Sequence, residues 1–187
     1  MQYLKRTKRY GLYYRGQTSP PRLIGYTDAD YGGDLDDRKS RTGFVYILGS
    51  TAIAWGSHKQ GCFADSTTIA ELVAMAESTK ETVWLCRTLD CTQELPLTIY
   101  CDNQAAIALV KNPEYHKRTK HVDMKYYAIR TYYEDNLLDF MYIQTTDQIA
   151  DIFTKALPRD TFQRLRQSMG IRTFHENEWE CADRHSS

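Results

Sequence analysis

No stretch of this 187-residue chain approaches the ~20 consecutive apolar residues of a membrane-spanning helix, so no membrane role is expected. The five cysteines, Cys62, Cys86, Cys91, Cys101 and Cys181, form no CxxC pair, and their number is odd. With no signal peptide ahead of them, a reduced intracellular setting is expected. Neither sign of charge dominates, because Lys plus Arg and Asp plus Glu both count 24. That balance argues against a protein that coats nucleic acid non-specifically. Internal repeats and low-complexity segments are also missing. What is present is the composition of an ordinary globular chain, 42% apolar and 26% charged, long enough for one domain with a substantial core.

Charge is concentrated locally even though it cancels overall. The first sixteen residues are basic and tyrosine-rich, and HKRTKH, from His116 to His121, is a second basic cluster. DADYGGDLDD, from Asp28 to Asp37, is acidic, as is the tail around Glu176 to Asp183. This distribution permits a basic track beside an acidic pit.

Hydrophobic patterning predicts an α/β fold. Residues 23–28, 42–48 and 51–58 read as strands, the last two joined through Gly49-Ser50 as a hairpin. Residues 67–91 change to helical spacing, with Leu72, Val73, Ala76, Val83 and Trp84 recurring on it. A strand at 97–101, helices at 104–111 and 121–135, and a strand at 138–144 follow. Further helices are expected at 147–156 and 161–169, split at Pro158. Strands joined by turns pair antiparallel, and strands joined through helices run parallel. The expected sheet is therefore mixed and five-stranded, three antiparallel strands and then two parallel, with helices on both faces. Residues 1–22 form a basic lead-in, 23–171 the domain, and 172–187 a polar tail expected to be loose.

Four acidic residues stand out in this frame: Asp28 in GYTDADYGGD, Glu71 in DSTTIAELVA, Asp102 in TIYCDNQAAIALVKNP and Asp151 in TTDQIADIFTKAL. Asp28 and Asp102 are expected to end strands. Glu71 and Asp151 are expected early in helices, Asp151 with Thr146 or Asp147 as its cap. Ligands of open α/β sheets gather beyond the carboxyl ends of parallel strands, so one topology brings all four together. Singly, each has an ordinary reading as a turn, cap or dipole-answering residue. Together they would repel unless a cation held them. Hard oxygen ligands suit Mg²⁺ or Mn²⁺, and two such ions can run an in-line attack on a phosphodiester.

The blocks GYTDADYGGDLDDRKSRTGFVYILG, STTIAEL, YCDNQAAIALVKNP, HKRTKHVDMKYY and TTDQIADIFTKALP occur in an order and spacing that resemble the ribonuclease H domain of copia-type LTR retrotransposon polyproteins. The lead-in MQYLKRTKRYGLYY resembles the connector after the reverse transcriptase in those polyproteins; no YxDD polymerase segment is present. The resemblance implies a ribonuclease H-like fold and a metal-dependent endonuclease that cuts the RNA strand of an RNA–DNA hybrid. It implies that Asp28, Glu71, Asp102 and Asp151 bind two Mg²⁺ or Mn²⁺ ions. Asp28 would bridge both, Asp151 would help hold the ion that activates water, and Glu71 and Asp102 the ion at the leaving 3′-oxygen. It also implies a reverse transcriptase domain as partner in a parent polyprotein, and a cytoplasmic, virus-like-particle or nuclear location. Two positions depart from the family's SSTEAEY block: Ile69 stands for an acid and Leu72 for an aromatic. Both fit simple helix packing.

Substrate contacts are sought among the remaining polar residues. Lys117, Arg118 and Lys120, with Lys125, can track phosphates, or can form a solvated helix face. Arg41, Thr42, Asn103 and Gln104 can read an RNA minor groove and its 2′-hydroxyls. His121 has three readings: a helix-start residue, a phosphate contact, or a proton shuttle. No Cys or His pair makes it a zinc ligand. Asp34, Asp36 and Asp37 read as a solvated turn, and Asp30 is set apart because it shares a strand face with Asp28. The alternative to an enzyme is a domesticated or excised module that binds nucleic acid or a polymerase with little turnover. An integrase or resolvase of the same superfold is disfavoured by the blocks around the glutamate.

Overall fold

The computed structural model describes residues 2–16, 20–89, 95–112 and 123–174. Its centre is a five-stranded sheet of β2 (Leu23–Asp30), β3 (Arg41–Leu48), β4 (Thr51–Lys59), β5 (Leu97–Cys101) and β6 (Leu138–Tyr142). A shorter β1 (Tyr10–Leu12) precedes them and β7 (Ile171–Thr173) follows. The spatial order of the sheet is β4-β3-β2-β5-β6. β2, β3 and β4 pair antiparallel, while β5 runs parallel to both β2 and β6, as the connections predict. The two-residue turn between β3 and β4 is made by Gly49 and Ser50, with Gly49 at φ +66°.

Alternation along β3 divides the core into two layers. Phe44 and Tyr46 face α2 (Thr67–Leu89) in one cluster, and Val45 and Ile47 join Ile149 and Met169 in another. The first face also carries α3 (Gln104–Lys111) and α4 (Asp123–Glu134), whose Ile107, Val110, Tyr126 and Ile129 pack with Leu72 and Met75 of α2. The second carries α5 (Asp151–Thr154) and α6 (Arg159–Ser168). Leu72 is fully buried where α2 packs with α3 and α4, so the departure noted at that position is core packing. The buried Tyr46 hydroxyl reaches Ser78 O at 2.5 Å and Thr82 Oγ1 at 2.6 Å. A buried phenol needs such partners, and these pin α2 in register against the sheet.

Several expected boundaries move. β2 continues past Asp28, because Ala29 and Asp30 go on pairing with Thr42 and Arg41. Glu71 lies one turn inside α2 rather than in its first turn. The helix expected at 147–156 is a 3-10 turn at Thr145–Asp147 and a single helical turn at Asp151–Thr154. The reason is Gln148, fully buried, whose Nε2 donates to Thr27 O and whose Oε1 accepts from Ala150 N. Those bonds anchor the chain to β2 and delay the helix until Asp151. The lead-in holds α1 (Gln2–Thr7) and β1, and β1 pairs antiparallel with β7 across the expected boundaries at 22 and 172. Thr51 Oγ1 donates to Tyr13 O at 2.5 Å, and Tyr14 donates its hydroxyl to Ala52 O at 2.9 Å, so residues 13 and 14 also pack on β4. The tail beyond residue 174 lies outside the described residues. No helix among the described residues is long and apolar enough to cross a membrane.

Candidate metal centre

β2 and β5 lie side by side and parallel, and their carboxyl ends deliver two of the four acids. Asp28 sits in β2 opposite Gly43 of β3, with 2% of its surface exposed. Asp102 follows the last residue of β5 and is half-buried. α2 brings Glu71 to the same edge, 5% exposed, where its carboxylate accepts from the Ala29 backbone N–H. α5 opens with Asp151, 4% exposed. The residue before it, Ala150, makes no side-chain cap bond, so neither Thr146 nor Asp147 caps this helix.

The electrostatics register the convergence. Burial pushes the Asp28 carboxyl up to about 7, and the fields of Asp151 and Asp102 push the same way. The Thr154 hydroxyl, donating to Asp28 Oδ2 at 2.5 Å, and the Lys155 ammonium oppose that rise. Burial, with Asp28 and Asp102 nearby, pushes Glu71 up to about 9. Near neutral pH the metal-free site therefore keeps part of its charge as protons, the expected response of crowded carboxylates withdrawn from water.

Supporting contacts orient the oxygens. Thr145 donates its hydroxyl to Asp102 Oδ2 at 2.7 Å, and Lys155 Nζ lies 2.8 Å from Asp151 Oδ1. Cys101, fully buried at the end of β5, places its Sγ 3.8 Å from Glu71 Oε2 and accepts the Asn103 N–H at 3.4 Å. One ligand atom each from Glu71, Cys101 and Asp102 lies within 4.8 Å of the other two, close enough for a single ion. Burial, and the nearby Glu71 carboxylate, push the Cys101 thiol well above its ordinary range. Gly43 makes room for α5: a Cβ there would meet Thr154 Cγ2 at 2.6 Å and Ala150 O at 2.9 Å.

The expected substrate contacts are placed unevenly. Arg41 is half-buried on the rim of a cleft beside the acids, its Nη1 donating to Ser57 Oγ at 3.4 Å. Thr42 is fully buried and accepts from Gln60 Nε2 at 3.1 Å, beneath the surface of β3. Asn103 is the N-cap of α3, its Oδ1 accepting from Ala106 N at 3.0 Å, and Gln104 is exposed beside it. Lys117, Arg118, Lys120 and His121 lie outside the described residues. Asp30 lines the cleft beside the acids, with its Oδ2 against Gly33. Asp34 and Asp37 hold Lys59 at 2.7 and 3.0 Å, and Asp34 accepts from the Asp36 N–H, which makes the acidic loop a self-paired turn.

Thr145, Gln148, Thr154, Lys155 and Cys101 were not singled out by sequence reasoning. Lys155 carried one readable signal, its i,i+4 spacing from Asp151. The others become visible only when distant strands close on them.

No protein-family model matches the chain. Over 176 residues, 91% of the chain, it is 44% identical to the retrovirus-related Pol polyprotein from transposon TNT 1-94 of Nicotiana tabacum. Over 178 residues it is 36% identical to that from transposon RE1 of Arabidopsis thaliana. The chain spans 13% and 12% of the length of these curated relatives. Among solved structures it resembles LC11-RNase H1, isolated from compost by a metagenomic approach, with TM-score 0.55 and 17% identity over 71% of this chain and 92% of that one. The same enzyme in complex with an RNA/DNA hybrid gives TM-score 0.54 at 14% identity, over 71% of this chain and 94% of that one. In sequence the chain is homologous to a segment of the Pol polyproteins of plant copia-type transposons, and its fold is that of ribonuclease H.

Proposed function

We propose that the chain is a metal-dependent endonuclease that hydrolyses the RNA strand of RNA–DNA hybrids. It would do so within a larger polyprotein, beside a reverse transcriptase domain, during retrotransposon reverse transcription. The observation that carries this reading is the gathering of Asp28, Glu71, Asp102 and Asp151 at one sheet edge, with Asp28 and Glu71 held towards their neutral forms. The Pol relatives and the hybrid bound by LC11-RNase H1 support it.

The donor set fits a hard divalent cation. Four carboxylates converge, and Lys155 is the cation that the described residues bring within 4 Å of them. Asp28, Glu71, Asp102 and Asp151 would hold two Mg²⁺ or Mn²⁺ ions. When bound, these supply positive charge at a scissile phosphate and activate water for in-line displacement. The chain's own part is placement. Thr154 and Thr145 each bond an oxygen of an acid and so orient its carboxylate. Gln148 ties the turn ahead of Asp151 to β2, which keeps Asp151 in reach of Asp28. Arg41 and Gln104 flank the acids as candidate contacts to the hybrid, with Lys117, Arg118, Lys120 and His121 as further phosphate contacts.

The test is cleavage of labelled RNA–DNA hybrid, single-stranded RNA and duplex DNA, with Mg²⁺, Mn²⁺ or chelator. Hybrid alone should be cut, with 5′-phosphate and 3′-hydroxyl ends, and Asp28→Asn should bind hybrid in Ca²⁺ without cutting it. A 2′,3′-cyclic phosphate product would sink the two-metal reading. If wild type and Asp28→Asn bind hybrid alike and neither cuts with any divalent metal, a binding module replaces the enzyme.

A further inference from the structure

Lys155 leaves the end of α5 with its ammonium turned back into the acids, 2.8 Å from Asp151 Oδ1 and 3.9 Å from Asp28 Oδ2. An i,i+4 pair on an exposed helix is worth little. This one differs, because the two carboxylates are 6% and 3% exposed while the lysine side chain is 38% exposed. The ammonium thus enters from the solvent side and covers oxygens of two residues assigned above to the metal. An ammonium and a divalent cation cannot share those oxygens without strong repulsion. The lysine also has somewhere to go. A cleft of about 430 Å³ adjoins the site, lined by Lys155 itself with Asp30, Lys39, Arg41 and Thr154. Lys155 already borders that cleft, and the four-carbon stem that carries its ammonium is free to rotate about its own bonds.

We propose that Lys155 is a resident counter-ion: it ties Asp28 to Asp151 while no metal is bound, and surrenders their oxygens to the incoming divalent cation by swinging into the adjoining cleft. The inference rests on the metal reading above and adds a competitor to it. Lys155 is then a positioning residue whose charge sets how tightly the centre takes its metal. A lysine of purely structural value would have the opposite signature, since its loss would loosen the centre and weaken metal binding.

The experiment is a calorimetric titration of the full chain with Mn²⁺, without nucleic acid, for wild type, Lys155→Met and Lys155→Arg, alongside melting curves in chelator. The methionine variant should melt lower without metal and bind Mn²⁺ more tightly, on the order of tenfold for one competing charge at a half-exposed position. The arginine variant, which keeps the charge, should stay near wild type. If wild type binds Mn²⁺ and Lys155→Met binds equally or less tightly, the counter-ion role is overturned and the metal centre stands. If neither binds Mn²⁺, the inference and the metal reading fall together. Should Lys155→Met not fold, Lys155→Gln is judged by the same criteria.

Discussion

Loading the centre with a divalent cation should release protons in an amount set by Asp28 and Glu71. Burial holds the Asp28 carboxyl up at about 7 and the Glu71 carboxyl at about 9. At pH 7 the first is then half protonated and the second almost wholly so. A metal that takes both as carboxylates displaces roughly 1.5 protons. Calorimetry in two buffers of different ionisation enthalpy reads that number from the slope of apparent enthalpy against buffer enthalpy. By pH 9 the release should shrink to about half a proton, as Asp28 is then already ionised. The same shifts make the metal-free protein pH-sensitive in a definite direction. A carboxyl raised on folding binds more protons in the native than in the unfolded state, so its contribution is fully present below about 4 and is lost as pH rises through its folded value. For Asp28, from the ordinary 3.8 to about 7, that is roughly 4 kcal/mol at about 1.4 kcal/mol per unit. Melting temperature in chelator should therefore fall between about pH 4 and pH 9, and Mn²⁺ should flatten the slope. Glu71→Gln, neutral at every pH, should lose the upper part of that fall. Mn²⁺ binding whose enthalpy is independent of buffer at pH 7, with a flat apo melting profile, would refute the argument.

Two substitutions examine how the site is assembled. Thr154→Val keeps the shape but deletes the 2.5 Å hydroxyl bond to Asp28, and a hydrogen bond to a charged group is worth about 1.5–3 kcal/mol. Asp28 should then titrate higher, and the pH at which Mn²⁺ affinity saturates should rise; an unchanged affinity profile would mean the hydroxyl does not support the carboxylate. Gly43→Ala puts a Cβ against Thr154, Ala150 O and Phe153 and should lift α5, costing about 1–3 kcal/mol by urea unfolding and weakening Mn²⁺ binding through Asp151. Wild-type metal affinity in that variant would show that α5 is not held by the close approach.

The sequence alone was enough for the five central strands and their connection. Residues 42–48 and 51–58 read as strands, the Gly49-Ser50 turn joined them as antiparallel partners, and the helical period after Thr67 implied that the later strands run parallel. Those are local signals of period and turn chemistry, and with the quoted blocks they named the four acids. Tertiary structure decided what no local signal carries. Gln148 reads as a polar residue of a continuing helix, yet it bonds Thr27 from 121 positions away and sets where α5 begins. Thr42 reads as a candidate substrate contact, yet strand pairing turns it inward to Gln60. Cys101 reads as one thiol among five, and only the approach of α2 to β5 brings Glu71 beside it. The raised acid pKa values likewise come from burial and from charges on separate segments. Period and turn preference belong to neighbouring residues, whereas desolvation and the partner of a buried polar atom depend on which distant surfaces close together.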